Sequence, residues 1–282
     1  MVLLILSVSV NVFFLGIYIP ANEKQVSGLL DRIQVLDREN IRPDTAVLQR
    51  PGIPVSSDGI FGRASLQAPA VSQSIRTVIR QGRQFRTVVQ NGSIMNISVE
   101  IIPGRGRVLV QTTPLMGVVF QDAANTAVSV AGNRSGVNLS SSDVIFSIDS
   151  GNTISEVDGP SAGALMTLLM VSAIEKRPID DSMTLTGTIT SNGHIGAIGG
   201  IVEKATAAKE NGKTLLLLPA ENRILTRTVV ETENYGMFSL GRQVQYQEDT
   251  REYIEKNIGI RVMYVNTIDE VISDALVPSR TT

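Results

Sequence analysis

A serine follows Asp158-Gly159-Pro160 and precedes Ala162-Gly163 and a largely apolar run from Ala164 to Ile174. A turn-prone segment thus delivers Ser161 to the mouth of a helix. Asp158 can cap that helix and Pro160 suits its first turn. Backbone N–H groups at such an end lack intrahelical partners and can hold an anion. Ser161 is therefore a candidate nucleophile, with an oxyanion site beside it in the turn that Gly159, Pro160, Ala162 and Gly163 form. Taken alone, the same segment reads equally well as a capped core helix that happens to contain a serine.

A serine nucleophile needs a base. The chain has one histidine, His194, in an Asn192-Gly193-His194 turn where an exposed imidazole is expected. Lys204 is the second candidate. On a helix its neighbours Ile201, Ala205 and Ala208 make one side apolar, and Glu203, next in sequence, points elsewhere. A lysine works as a base only when neutral. Bringing its pKa from about 10.4 to near 7 costs the charged form roughly 4 kcal/mol, which burial against apolar walls can supply. By itself Lys204 also reads as a solvated helix lysine.

Composition narrows the chemistry further. The 282 residues contain no cysteine and a single histidine. Disulfides, thiolate nucleophiles, cysteine-based zinc sites and multi-histidine metal sites are excluded, and no metal or cofactor is expected. A formal charge of −2 gives no global pull toward nucleic acid, and no nucleic-acid partner is expected. Gly212-Lys213-Thr214 imitates the end of a phosphate-binding loop. Its first glycine would fall on Ala207, and the order helix, loop, strand is the reverse of what such a loop needs.

The elements that must position these residues follow from periodicity. Val2 to Ile19 is uncharged, and eighteen helical residues span roughly 27 Å, so a transmembrane anchor over 1–20 is expected, with a cleavable signal as its rival. The basic residues after it favour a body on the inner side. Four glycosylation sequons (at Asn91, Asn96, Asn133 and Asn138) point weakly the other way. Val26, Leu29, Ile33 and Leu36 form a heptad seam within 21–41, either a short coiled coil or a lone amphipathic helix. Residues 42–70, with Pro43, Pro51, Pro54 and Pro69, read as a linker. Strands are expected at 77–79, 85–89, 94–102, 107–110, 144–148, 183–190 and 215–219. Pro103-Gly104-Arg105-Gly106 reads as a hairpin turn, and helices are expected at 118–131, 164–176 and 201–211.

Four stretches together carry a resemblance: Asp158 to Gly163, Leu185-Thr186-Gly187-Thr188-Ile189-Thr190, Ile198-Gly199-Gly200-Ile201-Val202-Glu203-Lys204 and Leu218-Pro219-Ala220-Glu221-Asn222. In order and in gaps, including the 43 residues from Ser161 to Lys204, they are similar to the proteolytic domain of the Lon protease family. The strand before the serine and the ending Val262 to Val271 are similar too, so the resemblance runs from about residue 90 to 278. It implies an α+β fold of the ribosomal protein S5 domain 2-like type, over 71–280. It implies a Ser161–Lys204 dyad, with Thr186 hydrogen-bonding the lysine amine and Asp158 as the acidic residue before the turn. The implied reaction is acyl transfer from peptide bonds of polypeptide substrates, in a homo-oligomer, a hexameric ring in the family. Two rivals are a non-catalytic membrane scaffold with this fold and a protein that processes its own linker.

The chain also departs from the family pattern. Thr188 stands where glutamate is common, and Glu156-Val157 replaces a Pro-Lys pair. Residues 223–256 are longer and more polar than the family's connection, which suggests an added helix pair, a lid or a contact surface. No ATPase domain is recognisable in these residues. The chain is therefore expected to cleave peptides or loose polypeptides unless a separate ATPase feeds it, and it resembles short membrane-anchored Lon-like proteins of archaea.

Overall fold

The computed structural model describes residues 59–80, 83–113, 115–151, 156–157, 159–235 and 238–277. The expected anchor, heptad seam and most of the linker, together with Asp158, lie outside them. No helix among the described residues is long and apolar enough to cross a membrane.

Two strands, β1 (Gly62–Arg80) and β2 (Arg83–Pro103), form one long antiparallel hairpin. β3 (Val108–Thr112) and β4 (Leu115–Met116) follow, then helix α1 (Val118–Ser135) and β5 (Ser142–Asp149). β6 (Glu156–Val157) pairs in parallel with β4 and precedes a 3₁₀ turn, Pro160–Ala162, that runs into α2 (Gly163–Glu175). β7 (Met183–Leu185), α3 (Ile201–Glu210) and β8 (Leu215–Pro219) come next. A second hairpin, β9 (Ile224–Tyr235) and β10 (Phe238–Asp249), leads to α4 (Thr250–Asn257), β11 (Arg261–Val265) and α5 (Ile268–Ala275). The main sheets are mixed β1-β2-β5-β3 and parallel β11-β8-β7. The fold is mixed α and β, as expected.

Helix α2 is the centre of the core. Eleven of its thirteen residues, Gly163 to Ala173, are buried. An all-round apolar helix can be stable only when covered on every side, and α2 is packed by α1, β1, β2 and α5. It stops where Lys176 takes a left-handed conformation (φ 54°) ahead of Arg177-Pro178. A second cluster, Ala205, Ala208, Leu216, Leu218, Ile254, Ile260 and Val262, fixes α3 and α4 against the parallel sheet.

Three expectations need correction. Residues 62–70, read as the end of the linker, are the first half of β1, with Leu66 and Ala68 buried. Pro69 misleads because β1 is an edge strand, and a proline on an edge takes no donor from the ladder. Residues 103–106 do not close a hairpin, because β5 lies between β2 and β3 and β3 runs parallel to β5. The loop instead wraps the buried carboxylate of Asp143. Its Oδ1 accepts the N–H groups of Arg105 (2.8 Å) and Arg107 (3.0 Å), and its Oδ2 pairs with the Arg107 guanidinium. These donors hold the Asp143 carboxyl far below the usual carboxylate range. Finally, residues 223–256 hold a long hairpin and one helix, not a helix pair.

Asp143 gives a stability prediction. Asp143→Ala removes the acceptor of two backbone donors, each worth about 1–3 kcal/mol, so urea unfolding should show a loss of about 2–6 kcal/mol. Because the folded-state pKa is depressed, this contribution is present above the unfolded value and is lost only as pH falls below it.

Candidate active site

The turn before α2 is built so that only glycine fits at two places. Gly159 sits at φ 114°, ψ 153°, a region closed to L side chains. At Gly163 an added Cβ would lie 2.7 Å from Ile189 Cγ2 and 3.1 Å from the Ile189 nitrogen. Gly163 therefore lets α2 begin in direct contact with the segment after β7. That segment was expected to continue as strand to Thr190, yet the strand ends at Leu185. Beyond it the backbone turns toward the serine. The Gly187 N–H donates to the Ser161 carbonyl (2.8 Å), and the Ala164 N–H donates to the Gly187 carbonyl (3.1 Å). This exchange fixes Ser161 against Thr186-Gly187.

Thr186 is the hinge of the site. It is 1% exposed. Its Oγ1 donates to the Ser161 carbonyl (3.1 Å) and accepts from Lys204 Nζ (3.1 Å). One buried hydroxyl thus connects the main chain of the serine to the amine of the lysine. Lys204 is 4% exposed, on the inner side of α3 beside Ala205 and Ala208. Burial pushes its pKa down to about 8, because the charged form loses its water. The amine is poised to be neutral at mildly alkaline pH.

Two neighbours hold the approach to α3. Asn222, buried after β8, accepts the Ile198 N–H at Oδ1 (2.9 Å) and returns a hydrogen bond from Nδ2 to the Ile198 carbonyl (3.0 Å). Glu221 accepts the Ala197 N–H (2.9 Å) and meets His194 Nε2 (2.9 Å). The sequence motif around Pro219 contained both residues, but nothing in their types announced a clamp on the loop that aims Lys204. His194 is a partly exposed turn residue engaged with Glu221, in line with its expected place in the Asn192-Gly193-His194 turn. Lys213, the imitation phosphate-loop lysine, donates its Nζ to the Asp181 carbonyl (2.7 Å) and is structural. Ser161, Thr186 and Lys204 come together, whereas Asp158 is outside the described residues. A cleft of about 770 Å³ at the far end of α2, lined by Phe61, Ser65, Glu100, Ala173 and Arg177 among others, includes none of the three.

A family model for the Lon protease (S16) C-terminal proteolytic domain matches residues 72–235, more than half of the chain. The chain belongs to the Lon protease C-terminal proteolytic domain family. Relatives agree. A Lon protease of Xanthomonas oryzae pv. oryzae is 36% identical over 138 residues, 47% of this chain and 16% of that protein. One of Phenylobacterium zucineum is 36% identical over 146 residues, 50% of this chain and 18% of that protein. One of Lachnoclostridium phytofermentans is 31% identical over 223 residues, 77% of this chain and 24% of that protein. The chain therefore matches roughly a sixth to a quarter of the length of these Lon proteases. The family-model match ends with the last residue of β9, so β10, α4, β11 and α5 complete the fold beyond the matched residues.

Proposed function

We propose that this Lon-family chain is a serine endopeptidase working through Ser161 and Lys204. The observation that carries the reading is the buried Lys204 amine on Thr186 Oγ1, with the same hydroxyl on the Ser161 carbonyl. Neutral Lys204 takes the Ser161 hydroxyl proton as Oγ attacks the peptide carbonyl carbon. The N–H groups of Gly163 and Ala164 are already given to Pro160 and Gly187. The oxyanion is assigned to the turn that carries Ser161, at the N-terminal end of α2. As the C–N bond breaks, the lysine returns its proton to the leaving amine, and the acyl group stays on Ser161 as an ester. Water, deprotonated by the same lysine, then releases the acid and restores the serine.

In this mechanism Thr186 is a positioning residue. Thr186→Val keeps the volume but removes both hydrogen bonds. It is expected to lower kcat on a fluorogenic peptide by about 10²-fold, a loss of the size seen when an oriented catalytic group is released. Thr186→Ser should recover most of that loss. A valine variant with unchanged kcat would remove Thr186 from the site.

The substrates in this reading are peptides and unfolded polypeptides, with folded proteins requiring a separate ATPase. The chain acts as a homo-oligomer held to a membrane by residues 1–20. Support for the anchor is the uncharged stretch Val2 to Ile19. Alkaline carbonate extraction of membranes carrying the full chain tests it, and release into the supernatant would overturn it.

A further inference from the structure

We infer that the outer end of the β1–β2 hairpin is an electrostatic arm that captures acidic stretches of extended polypeptide for cleavage at Ser161. The inference names a substrate class for the peptidase read above and rests on that reading.

The hairpin's direction is fixed by its contacts. At its base, Gly62 lies against the Ala173 carbonyl, in the last turns of α2. Further along, the Gln67 carbonyl accepts the Thr184 hydroxyl (2.6 Å). Further still, Val71 meets Gly200, and its register partner Gly92 lies against the Glu203 carbonyl and Ala207. The strands thus climb from the far end of α2 to the start of α3, beside Lys204, and then continue. From Val71 to Arg80 is nine residues, or about 30 Å of further strand. Past Asn96, β2 no longer pairs with β5, so this part is a two-stranded ribbon.

The arm's charge is one-sided. Between Ala64 and Val99 the chain has Arg76, Arg80, Arg83 and Arg86 and no acidic residue, although its overall formal charge is −2. The register places Arg80 directly opposite Arg83, with Arg76 opposite Thr87 and Arg86 opposite Thr77. Like charges at facing register positions are unfavourable, and an anionic ligand would complement this run of positive charge. Thr77, Ile79, Gln84 and Arg86 are exposed, Ile79 at 68%. An extended polypeptide advances about 3.3 Å per residue. A segment lying along the ribbon from the Arg86 level to the tip is therefore about six to nine residues from a bond near Lys204.

The test compares peptides sharing one neutral cleavable core in assays of the full chain. One carries a Glu tract about eight residues from the scissile bond. A second carries Gln in its place, and a third has the Glu tract two residues away. The distal Glu tract should raise kcat/KM about tenfold over Gln at low salt, through KM, as expected for several weak exposed ion pairs acting together. The ratio should fall to about one in ~0.5 M salt. It should also fall in the combined variant R76Q/R80Q/R83Q/R86Q, and survive in the corresponding Arg→Lys variant. The proximal tract should give little advantage. A ratio of one in the wild type, or one that persists in the Gln variant, overturns the arm. So does arginine-dependent binding of duplex DNA or phosphatidylserine vesicles without any effect of the Glu tract. Fluorescence anisotropy of the labelled Glu peptide on the full-length Ser161→Ala chain reads capture apart from chemistry. Arginine-dependent capture with no turnover by the wild type would sink the peptidase reading and leave the arm standing.

Discussion

Lys204→Met is expected to abolish peptide hydrolysis while making the protein more stable. Activity should fall by at least about 10³-fold, as it does when a member of a nucleophile–base pair is removed, and Ser161→Ala should fall to the same floor. The stability change has the opposite sign. A lysine whose folded pKa lies near 8 instead of 10.5 is disfavoured by burial at neutral pH, by about 3 kcal/mol. Methionine fills similar space without a charge, and the Thr186 hydroxyl keeps its bond to the Ser161 carbonyl. Urea unfolding at pH 7 should therefore show a gain of up to about 3 kcal/mol for Lys204→Met. Inactivity with a gain in stability separates a functional lysine from a structural one. Inactivity with a large loss of stability would reassign Lys204 to the core. Lys204→Arg should not rescue activity, since guanidinium stays protonated at every working pH.

The second large effect is on pH. With the amine titrating near 8, about a tenth of Lys204 is neutral at pH 7 and about nine-tenths at pH 9. kcat/KM should rise about tenfold between those values and level off above them. Stability carries the same signature. The unfolded chain binds the lysine proton more tightly than the folded one, so stability is flat below about pH 8 and rises with pH up to the unfolded value. That rise should be missing in Lys204→Met. A rate profile flat from pH 6 to 10 would rule out the lysine as the base.

Most of the elements around the site were legible in the sequence because local rules decide them. The apolar run after Ser161 can only be a covered helix, and α2 is one. Its stop at Arg177-Pro178, the stop of α3 before Gly212 (φ 80°) and the buried strand 215–219 follow from proline, glycine and unbroken apolar runs. The motif order, matched to the Lon family, was enough to select Ser161, Thr186 and Lys204 from many serines, threonines and lysines.

Other features depend on residues distant in sequence. Pro69 looked like linker because a sequence does not say which strand is an edge. The loop at 103–107 looked like a hairpin because its partner, Asp143, is about forty residues away. The polar stretch 223–256 carried no decisive period, and it became a ribbon through pairing across 26 residues of chain, Ile224 to Asp249. The serine motif by itself determined that a small-residue turn opens a core helix, which was compatible with catalysis and with mere capping. Only the tertiary structure lowered the pKa of Lys204. Its low pKa comes from water excluded by α3, the sheet and Thr186, and desolvation belongs to packed neighbours, not to a residue's place in the sequence.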